Sequence, residues 1–265
     1  MAKTIRVLLG GSEGRMGQVM QALIATTEDI ELVSTFDLQN SARQTFSDIR
    51  SGTEISQLVD IYVDFTHPEA VLDNVKQAAE AELDSIIGTS GWYDHLDDVE
   101  AMAKDYGQRI LYSPNFSPGV NVLFYAAQQV AQLLARFGYD AAIREIHHTD
   151  KIDAPSGTAI TLGNLVRKAT GKMSLAYTRR GKRNLSEIDV LGGRLGKVAG
   201  HHEVWFTPQE SYAERLILQH DVFTRDVFGI GVLQGIRWLA NAQKQRVPPG
   251  LYSFYNDVLG LSTAN

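Results

Sequence analysis

The sequence contains no cysteine among its 265 residues. Disulfide bonds, thiolate nucleophiles and cysteine-ligated metal sites are therefore all excluded. Basic residues are also scarce, because 25 lysines and arginines stand against 31 aspartates and glutamates, which gives a formal net charge of −6. A nucleic-acid-binding protein needs a basic excess to contact phosphates, so we expect no nucleic-acid partner.

Long apolar runs are absent as well. No segment approaches the roughly 18 consecutive apolar residues of a membrane-spanning helix, and the opening stretch, MAKTIRVLLGG, lacks an apolar core of signal-peptide length. Hydrophobic residues make up 44% and charged residues 21% of the chain, which is the usual balance of a soluble globular protein. These features predict a soluble, cytoplasmic protein with no membrane partner.

The first 115 residues alternate between short apolar runs and segments with helical spacing. Strands are predicted at IRVLLGG, IELVSTFD, IYVDFT, LDSIIGTSG and RILYSPN, and amphipathic segments such as RMGQVMQALIATT lie between them. This alternation is typical of an α/β domain, in which helices cover both faces of a parallel sheet. We therefore predict a Rossmann-type, dinucleotide-binding domain over residues 1–117.

The pattern changes after Asn115. A long amphipathic helix, PGVNVLFYAAQQVAQLLARFG, is followed by a strand, DAAIREIHH, and by a helix that ends near Gly171. From Leu175 to Phe223 strand-like runs follow one another without helical stretches, which is typical of an antiparallel or mixed sheet. We predict a second, α+β domain over residues 118–227, and a C-terminal segment, 228–265, that packs back on the first domain.

A glycine loop, GGSEGRMG, links the first predicted strand to the first helix. Gly11, Gly14 and Gly17 have the spacing G-x-x-G-x-x-G, a relative of the dinucleotide fingerprint in which a tight turn brings helix N-terminal amides to a pyrophosphate. Asp37 ends the second strand, where an acidic residue would bind the ribose hydroxyls of the cofactor. The combination favours dinucleotide binding over a tight turn without a ligand.

The segment REIHHTDKIDAPSGTAI, from Arg144 to Ile160, is dense in polar residues. A metal site is disfavoured, because the adjacent His147 and His148 would point to opposite faces of a strand, and we expect no bound metal. An anion site is favoured, because Lys151 and both histidines precede the free amides at a helix N-terminus. Each residue alone would be an ordinary surface charge or helix cap, but together they favour a catalytic, anion-binding site.

Six motifs occur in order along the chain, namely GRMG, VDFTHPE, IGTSG, NFSPGVN, EIHHTDKIDAPSGTA and RWL. With them the whole sequence resembles the dihydrodipicolinate reductase family, also called 4-hydroxy-tetrahydrodipicolinate reductases. The resemblance implies an NADH- or NADPH-dependent enzyme that reduces a cyclic dicarboxylate precursor on the route to diaminopimelate and lysine. It also implies a Rossmann domain, an α+β substrate domain and assembly as a homotetramer.

The resemblance also assigns roles to individual residues. It implies that His147 is a catalytic acid/base, that Lys151 donates a proton, and that the substrate is bound by His148, Gly157 and Thr158. Asp37 and three loops would hold the cofactor, and the loop residues are Gly11, Ser12, Glu13, Gly14, Arg15, Met16, Gly88, Thr89, Ser90, Ser113, Pro114, Asn115 and Phe116. The chemistry agrees, because hydride addition to a conjugated imine leaves negative charge that a cationic lysine can quench by proton transfer.

Some positions depart from the family pattern. Ser12 and Glu13 stand where small residues are usual, so Glu13 should point to solvent. Leu38 follows Asp37 where some members have an arginine for the 2′-phosphate of NADPH, which leaves the choice between NADH and NADPH open. The histidine pair in AGHHEVWF, at positions 201 and 202, receives no role.

Two other functions stay open on the residues alone. Another two-domain nicotinamide dehydrogenase, acting on a small amino or carboxylic acid, would share the glycine loop but would not need a His-His-x-x-Lys segment before a Ser-Gly-Thr helix start. A non-catalytic NAD(P) sensor would be expected to lose His147 or Lys151, and both are present.

Overall fold

A computed structural model describes residues 4–37, 46, 58–177, 184–211 and 213–261. The described strands are β1 (Ile5–Gly10), β2 (Ile30–Phe36), β3 (Ile61–Asp64), β4 (Asp84–Ile87), β5 (Arg109–Tyr112), β6 (Tyr139–His147), β7 (Ser174–Ala176), β8 (Glu187–Arg194), β9 (Gly200–Pro208), β10 (Leu216–Val222) and β11 (Gly250–Ser253). The described α-helices are α1 (Arg15–Ile24), α2 (Val71–Glu80), α3 (Leu96–Asp105), α4 (Pro118–Ala135), α5 (Gly157–Thr170) and α6 (Asp226–Lys244).

The chain divides into two compact units. The first unit comprises Met1–Pro118 together with Asp226–Asn265, and the second comprises Gly119–Arg225. Among the described helices, none combines the length and the apolar character needed to cross a membrane.

The first unit contains a six-stranded sheet in the order β11-β5-β4-β3-β1-β2. Every neighbouring pair in this sheet is parallel, which confirms the predicted Rossmann-type arrangement. All residues of β3 and β4 are buried, as expected for strands with helices on both faces. The strand order reverses between β1 and β3, and in open α/β sheets a ligand crevice forms outside the carboxyl ends of such strands.

The C-terminal segment belongs to the first unit in two ways. Helix α6 contributes Val232, Ile236 and Leu239 to one hydrophobic cluster with Leu9 of β1 and Met20 of α1. Strand β11 adds a parallel sixth strand beside β5. This strand is not predicted from the sequence, because four residues show too little periodicity to mark a strand.

The second unit contains a five-stranded sheet in the order β10-β9-β6-β8-β7. Strands β6, β8 and β7 are parallel to one another, whereas β9 pairs antiparallel with both β6 and β10, so the sheet is mixed, one of the two predicted forms. Helix α5 packs on β6 and β8. Ser156 caps this helix by accepting a hydrogen bond from Ala159, and Gly171 ends it in the left-handed conformation, as predicted.

Strand β6 sets the geometry of the polar segment. Its side chains alternate, so that Ile143, Glu145 and His147 are buried while Arg144 is exposed. The register places Glu145 opposite His202 of β9 on one side and opposite Gly192 of β8 on the other. A carboxylate and two imidazoles are thereby gathered on one face of the sheet.

Candidate active site

The glycine loop after β1 depends on close approaches of the backbone. Gly11 has a φ of +76°, and a Cβ there would lie 2.1 Å from the carbonyl oxygen of Phe65. A Cβ on Gly17 would lie 2.2 Å from the carbonyl oxygen of Gly11. A side chain at either position would displace backbone, so the loop geometry itself demands glycine there. The backbone turn leads directly into α1, which begins at Arg15.

Asp37 lies beside this loop. Its Oδ2 accepts a hydrogen bond of 2.8 Å from the backbone N–H of Glu13. The Glu13 side chain is exposed, as expected, and so are Gly14 and Arg15. The acid at the end of β2 is thus held against the loop in which the sequence predicts the cofactor pyrophosphate. Leu38 lies outside the described residues.

Asp64 is a buried hub of hydrogen bonds that its local sequence pattern does not indicate. Its side chain accepts hydrogen bonds from the Tyr62 hydroxyl, the Thr66 backbone N–H (3.0 Å) and hydroxyl (2.8 Å), the Asn74 amide (3.2 Å) and the Thr89 hydroxyl (2.6 Å). Burial and the adjacent carboxylate raise the pKa of Tyr62 well above its ordinary value. Asp64 therefore joins the motifs VDFTHPE and IGTSG at the carboxyl ends of β3 and β4.

The loop after β5 is held by its own polar groups. The Ser113 hydroxyl donates to the Asn115 carbonyl oxygen (2.7 Å), and the Asn115 side-chain oxygen accepts from the Ser117 backbone N–H (2.8 Å). Phe116 is only 4% exposed, and its ring packs on Phe254 with centroids 5.1 Å apart. The Phe116 side chain is thus part of the core, so a cofactor contact at this position would involve its backbone.

The sequence-predicted cofactor residues therefore converge on one edge of the first sheet. They lie at or just beyond the carboxyl ends of β1, β2, β4 and β5. Parallel strands bring these ends together, which is where open α/β sheets bind their ligands.

Glu145 is the centre of a second polar group, in the second unit. Its carboxylate is fully buried and accepts hydrogen bonds from the His147 Nδ1–H, from Arg194 Nη1 (2.9 Å) and from the Ser156 backbone N–H (3.4 Å). Burial by itself raises the pKa of Glu145, but the hydrogen bonds from His147 and Arg194 more than compensate, so its pKa lies below the ordinary value. Glu145 is therefore ionised at neutral pH.

Arg194 connects this carboxylate to the loop that carries Lys151. Its Nε donates to the Lys151 carbonyl oxygen (3.1 Å), and its Nη2 donates to the Asp153 carbonyl oxygen. The Lys151 ammonium donates to the Asp153 carboxylate at 2.6 Å. Burial raises the pKa of Asp153, but the hydrogen bond and charge of Lys151 together with backbone hydrogen bonds outweigh it, so this pKa lies below its ordinary value. Lys151 is thus held through its backbone while its side chain stays partly exposed.

Helix α5 begins beside these groups. Gly157 is exposed and Thr158 partly buried at its first turn, and His148 is partly buried just beyond β6. The Ser156 hydroxyl lies 3.4 Å from Nε2 of His202. The amides of this helix start lie where the sequence predicts an anion-binding site.

His202 is a buried, neutral neighbour of His147. The two ring centroids are 5.1 Å apart. Burial, together with the nearby His147, lowers the pKa of His202 to about 3, and among the described residues its Nδ1 finds no hydrogen-bond partner. His201 lies on the opposite face of the sheet, where it contacts Asp221 (2.7 Å) and Glu203 (3.0 Å). His201 and His202, although adjacent in the sequence, therefore lie in separate environments on opposite faces of the sheet.

Glu145, His147 and His202 have potential ligand atoms that all lie within 4.8 Å of one another. His202 comes from another strand, so the spacing of His147 and His148 in the sequence did not reveal this set. Arg194 already forms an ion pair with Glu145, so its positive charge would repel a metal cation bound at the same carboxylate. The arrangement favours proton transfer and anion binding over a metal centre.

Comparison with known proteins agrees with these observations. Residues 5–116 match the family model of the dihydrodipicolinate reductase N-terminus, and residues 119–259 match that of its C-terminus. A 4-hydroxy-tetrahydrodipicolinate reductase of Methanopyrus kandleri is 34% identical over an alignment of 275 positions, which covers 97% of each chain. One of Methanoregula boonei is 34% identical over 262 residues, 97% of this chain and 98% of the relative.

A solved structure shows the same fold. The dipicolinate-bound dihydrodipicolinate reductase from Paenisporosarcina sp. TG-14 superposes with a TM-score of 0.75 at 23% identity, over 96% of this chain and 99% of the other. Both halves of the chain match their family models, and the two relatives exceed 30% identity over nearly the full length. The chain therefore belongs to the dihydrodipicolinate reductase family.

Proposed function

We propose that this protein is a nicotinamide-dependent reductase that converts 4-hydroxy-tetrahydrodipicolinate to tetrahydrodipicolinate. The observation that carries the proposal is the polar group of the second unit, where a cationic Lys151 and a carboxylate-paired His147 adjoin the start of helix α5. Overall, the substrate loses its hydroxyl as water and gains one hydride and one proton. The protein must therefore bind two carboxylates and deliver a proton.

The second unit offers donors for the substrate. The Lys151 ammonium, the His148 imidazole and the amides of Gly157 and Thr158 lie on one short segment around the helix start. A dicarboxylate gains charge-assisted hydrogen bonds from such donors, and the helix dipole adds to the attraction. We therefore assign substrate binding to these residues.

Proton delivery is assigned to Lys151, with His147 as an acid/base. Hydride addition to the conjugated imine creates negative charge, and a neighbouring ammonium neutralises it by giving up a proton. Glu145 holds the His147 ring by its Nδ1, which leaves Nε2 as the nitrogen that exchanges protons.

The first unit is suited to the nicotinamide cofactor, which supplies the hydride when bound. Gly11 and Gly17 permit the tight turn after β1, because a Cβ at either position would collide with backbone. A turn of this kind presents the amides of a helix N-terminus to a pyrophosphate. Asp37 would accept hydrogen bonds from the adenosine ribose, and Thr89 and Ser113 would line the same sheet edge.

One assay tests the proposed activity. Freshly made product of dihydrodipicolinate synthase is added to the protein with NADH or NADPH, and cofactor oxidation is followed by absorbance. We expect rapid oxidation that depends on this product. Oxidised cofactor reduced by a free amino acid, without turnover of the synthase product, would instead support the rival dehydrogenase. Cofactor binding without any turnover would support a sensor.

We expect NADH to be used at least as well as NADPH. The 2′-phosphate of NADPH brings negative charge toward Asp37, and Leu38 offers no cation in return. Arg15 in the glycine loop and His67 after β3, both exposed, are the candidates that could soften this repulsion. One charged contact is worth about 1–3 kcal/mol, so the preference for NADH lies between a few-fold and about a hundredfold.

The measurement is kcat/KM for both cofactors in the wild type and in Leu38→Arg. The variant should gain activity with NADPH, because its guanidinium can pair with the 2′-phosphate. A wild type that clearly prefers NADPH, or a variant without this gain, would show that positions 37 and 38 do not set the choice.

We also propose that the protein is a homotetramer assembled through its second unit. One face of the five-stranded sheet carries Leu191, which is 51% exposed, together with the partly exposed Trp205 and Ile217. Exposed apolar surface of this kind is typical of protein–protein interfaces. Light scattering at micromolar concentration should give about four times the 29.3 kDa chain mass. A monomer mass would contradict the proposal.

A further inference from the structure

We propose that Glu145 is a positioning residue of the reductase site, which orients His147 and the Lys151 loop through a single buried carboxylate. The proposal rests on the function proposed above. It adds a residue, not assigned by the family resemblance, that acts on the reaction without contacting substrate or cofactor.

The two oxygens of Glu145 hold different parts of the site. Oε2 accepts the hydrogen bond from Nδ1 of His147, and Oε1 accepts from Arg194 at 2.9 Å and from the Ser156 backbone N–H at 3.4 Å. One carboxylate thus links the acid/base imidazole, a guanidinium and the cap of helix α5. Its full burial makes these hydrogen bonds strong, since water does not compete for them.

Arg194 extends the link to the proton donor. It hydrogen-bonds the backbone carbonyls of Lys151 and Asp153, so the loop between β6 and α5 is tied to Glu145 through one guanidinium. A planar guanidinium can make these bonds in several directions at once, which an ammonium cannot do with the same geometry. The position of the Lys151 backbone therefore depends on Glu145.

Two glycines leave room for the carboxylate and the imidazole. A Cβ on Gly192 would lie 2.7 Å from Oε1 of Glu145, and a Cβ on Gly200 would lie 3.3 Å from Nε2 of His147. Both are strand positions, where glycine weakens a strand unless close packing requires it. Glycine at both positions therefore leaves space in the sheet for the Glu145 carboxylate and the His147 imidazole.

The charges around His147 define its tautomer. An ionised Glu145 binds a protonated Nδ1, so the neutral imidazole keeps its proton there and presents Nε2 as the lone pair. His202, the other imidazole of the cluster, is neutral, and Arg194 is already paired with Glu145. Lys151 pairs with Asp153 instead. A proton gained at Nε2 is then stabilised by the Glu145 carboxylate, the one anion that His147 contacts among the described residues.

The test combines kinetics with a spectroscopic signature. Glu145→Gln keeps the size of the side chain and one acceptor oxygen but removes the charge. We expect kcat to fall about 10- to 100-fold, less than the loss of the proton donor itself, while KM for NADH stays within about twofold. In ¹⁵N-histidine-labelled protein, His147 should show an Nδ1–H tautomer in the wild type and a shifted population in Glu145→Gln. The His147 signal is assigned by its absence in His147→Gln.

Two further variants separate positioning from a structural effect. Asp140→Asn removes another buried carboxylate of the same strand β6, paired with Lys172, and should leave kcat and the His147 signal unchanged. Arg194→Lys should lower kcat through the Lys151 loop while the His147 tautomer persists.

Two results would overturn the proposal. The first is a Glu145→Gln enzyme with wild-type kcat. The second is an Nε2–H tautomer of His147 in the wild-type protein, a measurement that does not depend on whether a variant folds. The tautomer is measured without turnover, so failure of the proposed reaction would be seen separately in the wild-type assay.

Discussion

Replacing Lys151 by alanine should lower kcat by about two to four orders of magnitude, the usual scale for loss of a positioned general acid. The structure places this lysine where such an effect is expected, because Arg194 holds its backbone and Asp153 its ammonium. His147→Ala should have a smaller or comparable effect, since we propose that its ring acts as an acid/base in the same reaction. Steady-state kinetics with the synthase product and NADH measure both.

A lysine elsewhere on the same unit serves as the control. Lys168 is exposed in the last turn of helix α5, so Lys168→Ala should keep wild-type kcat. KM for NADH should change little in Lys151→Ala, because the proposed cofactor residues belong to the first unit. Near-wild-type turnover in both Lys151→Ala and His147→Ala would show that neither residue has its proposed role.

Replacing Asp64 by alanine should lower the free energy of unfolding by about 3–5 kcal/mol. The change leaves the donors of Tyr62, Thr66, Asn74 and Thr89 without their shared acceptor. An unsatisfied buried donor costs about 1–3 kcal/mol, and local relaxation keeps the total below the simple sum. Urea denaturation at a fixed protein concentration measures the loss. NADH binding should weaken as well, because Thr89 belongs to a predicted cofactor loop.

Asp73→Ala is the matched control for this prediction. Asp73 is an exposed carboxylate on α2, the helix that also carries Asn74, and its removal should change stability by less than about 0.5 kcal/mol. If Asp64→Ala and Asp73→Ala lost equally little stability, Asp64 would not be the hub that its hydrogen bonds indicate.

Much of the first unit could be predicted from local patterns. Apolar runs alternating with segments of 3.6-residue periodicity predicted β1 to β5 and the helices between them. The spacing of Gly11 and Gly17 predicted the tight loop after β1, in which a Cβ at either position would collide with backbone. Asp64 was missed although it lies in a recognised motif. An aspartate after an apolar run has the same local pattern whether it faces solvent or, as here, collects hydrogen bonds from three elements.

The second unit was predicted with less detail. Its strands were located, but whether the sheet was antiparallel or mixed could not be decided. Strand periodicity shows which side chains share a face, and it does not show which strands are neighbours. Strand β11 was missed for a related reason, since its partner β5 lies far away in the sequence.

The sequence by itself determined the family, the nicotinamide chemistry that the family implies, and the segment around His147 and Lys151. Each of these follows from short motifs, within which the residues are close together in the chain. Only the tertiary structure decided that Glu145 pairs with His147, that Arg194 of β8 joins them, and that His202 of β9 lies alongside. The physical reason is that backbone hydrogen bonds between distant strands set these neighbours, and no local spacing specifies that pairing.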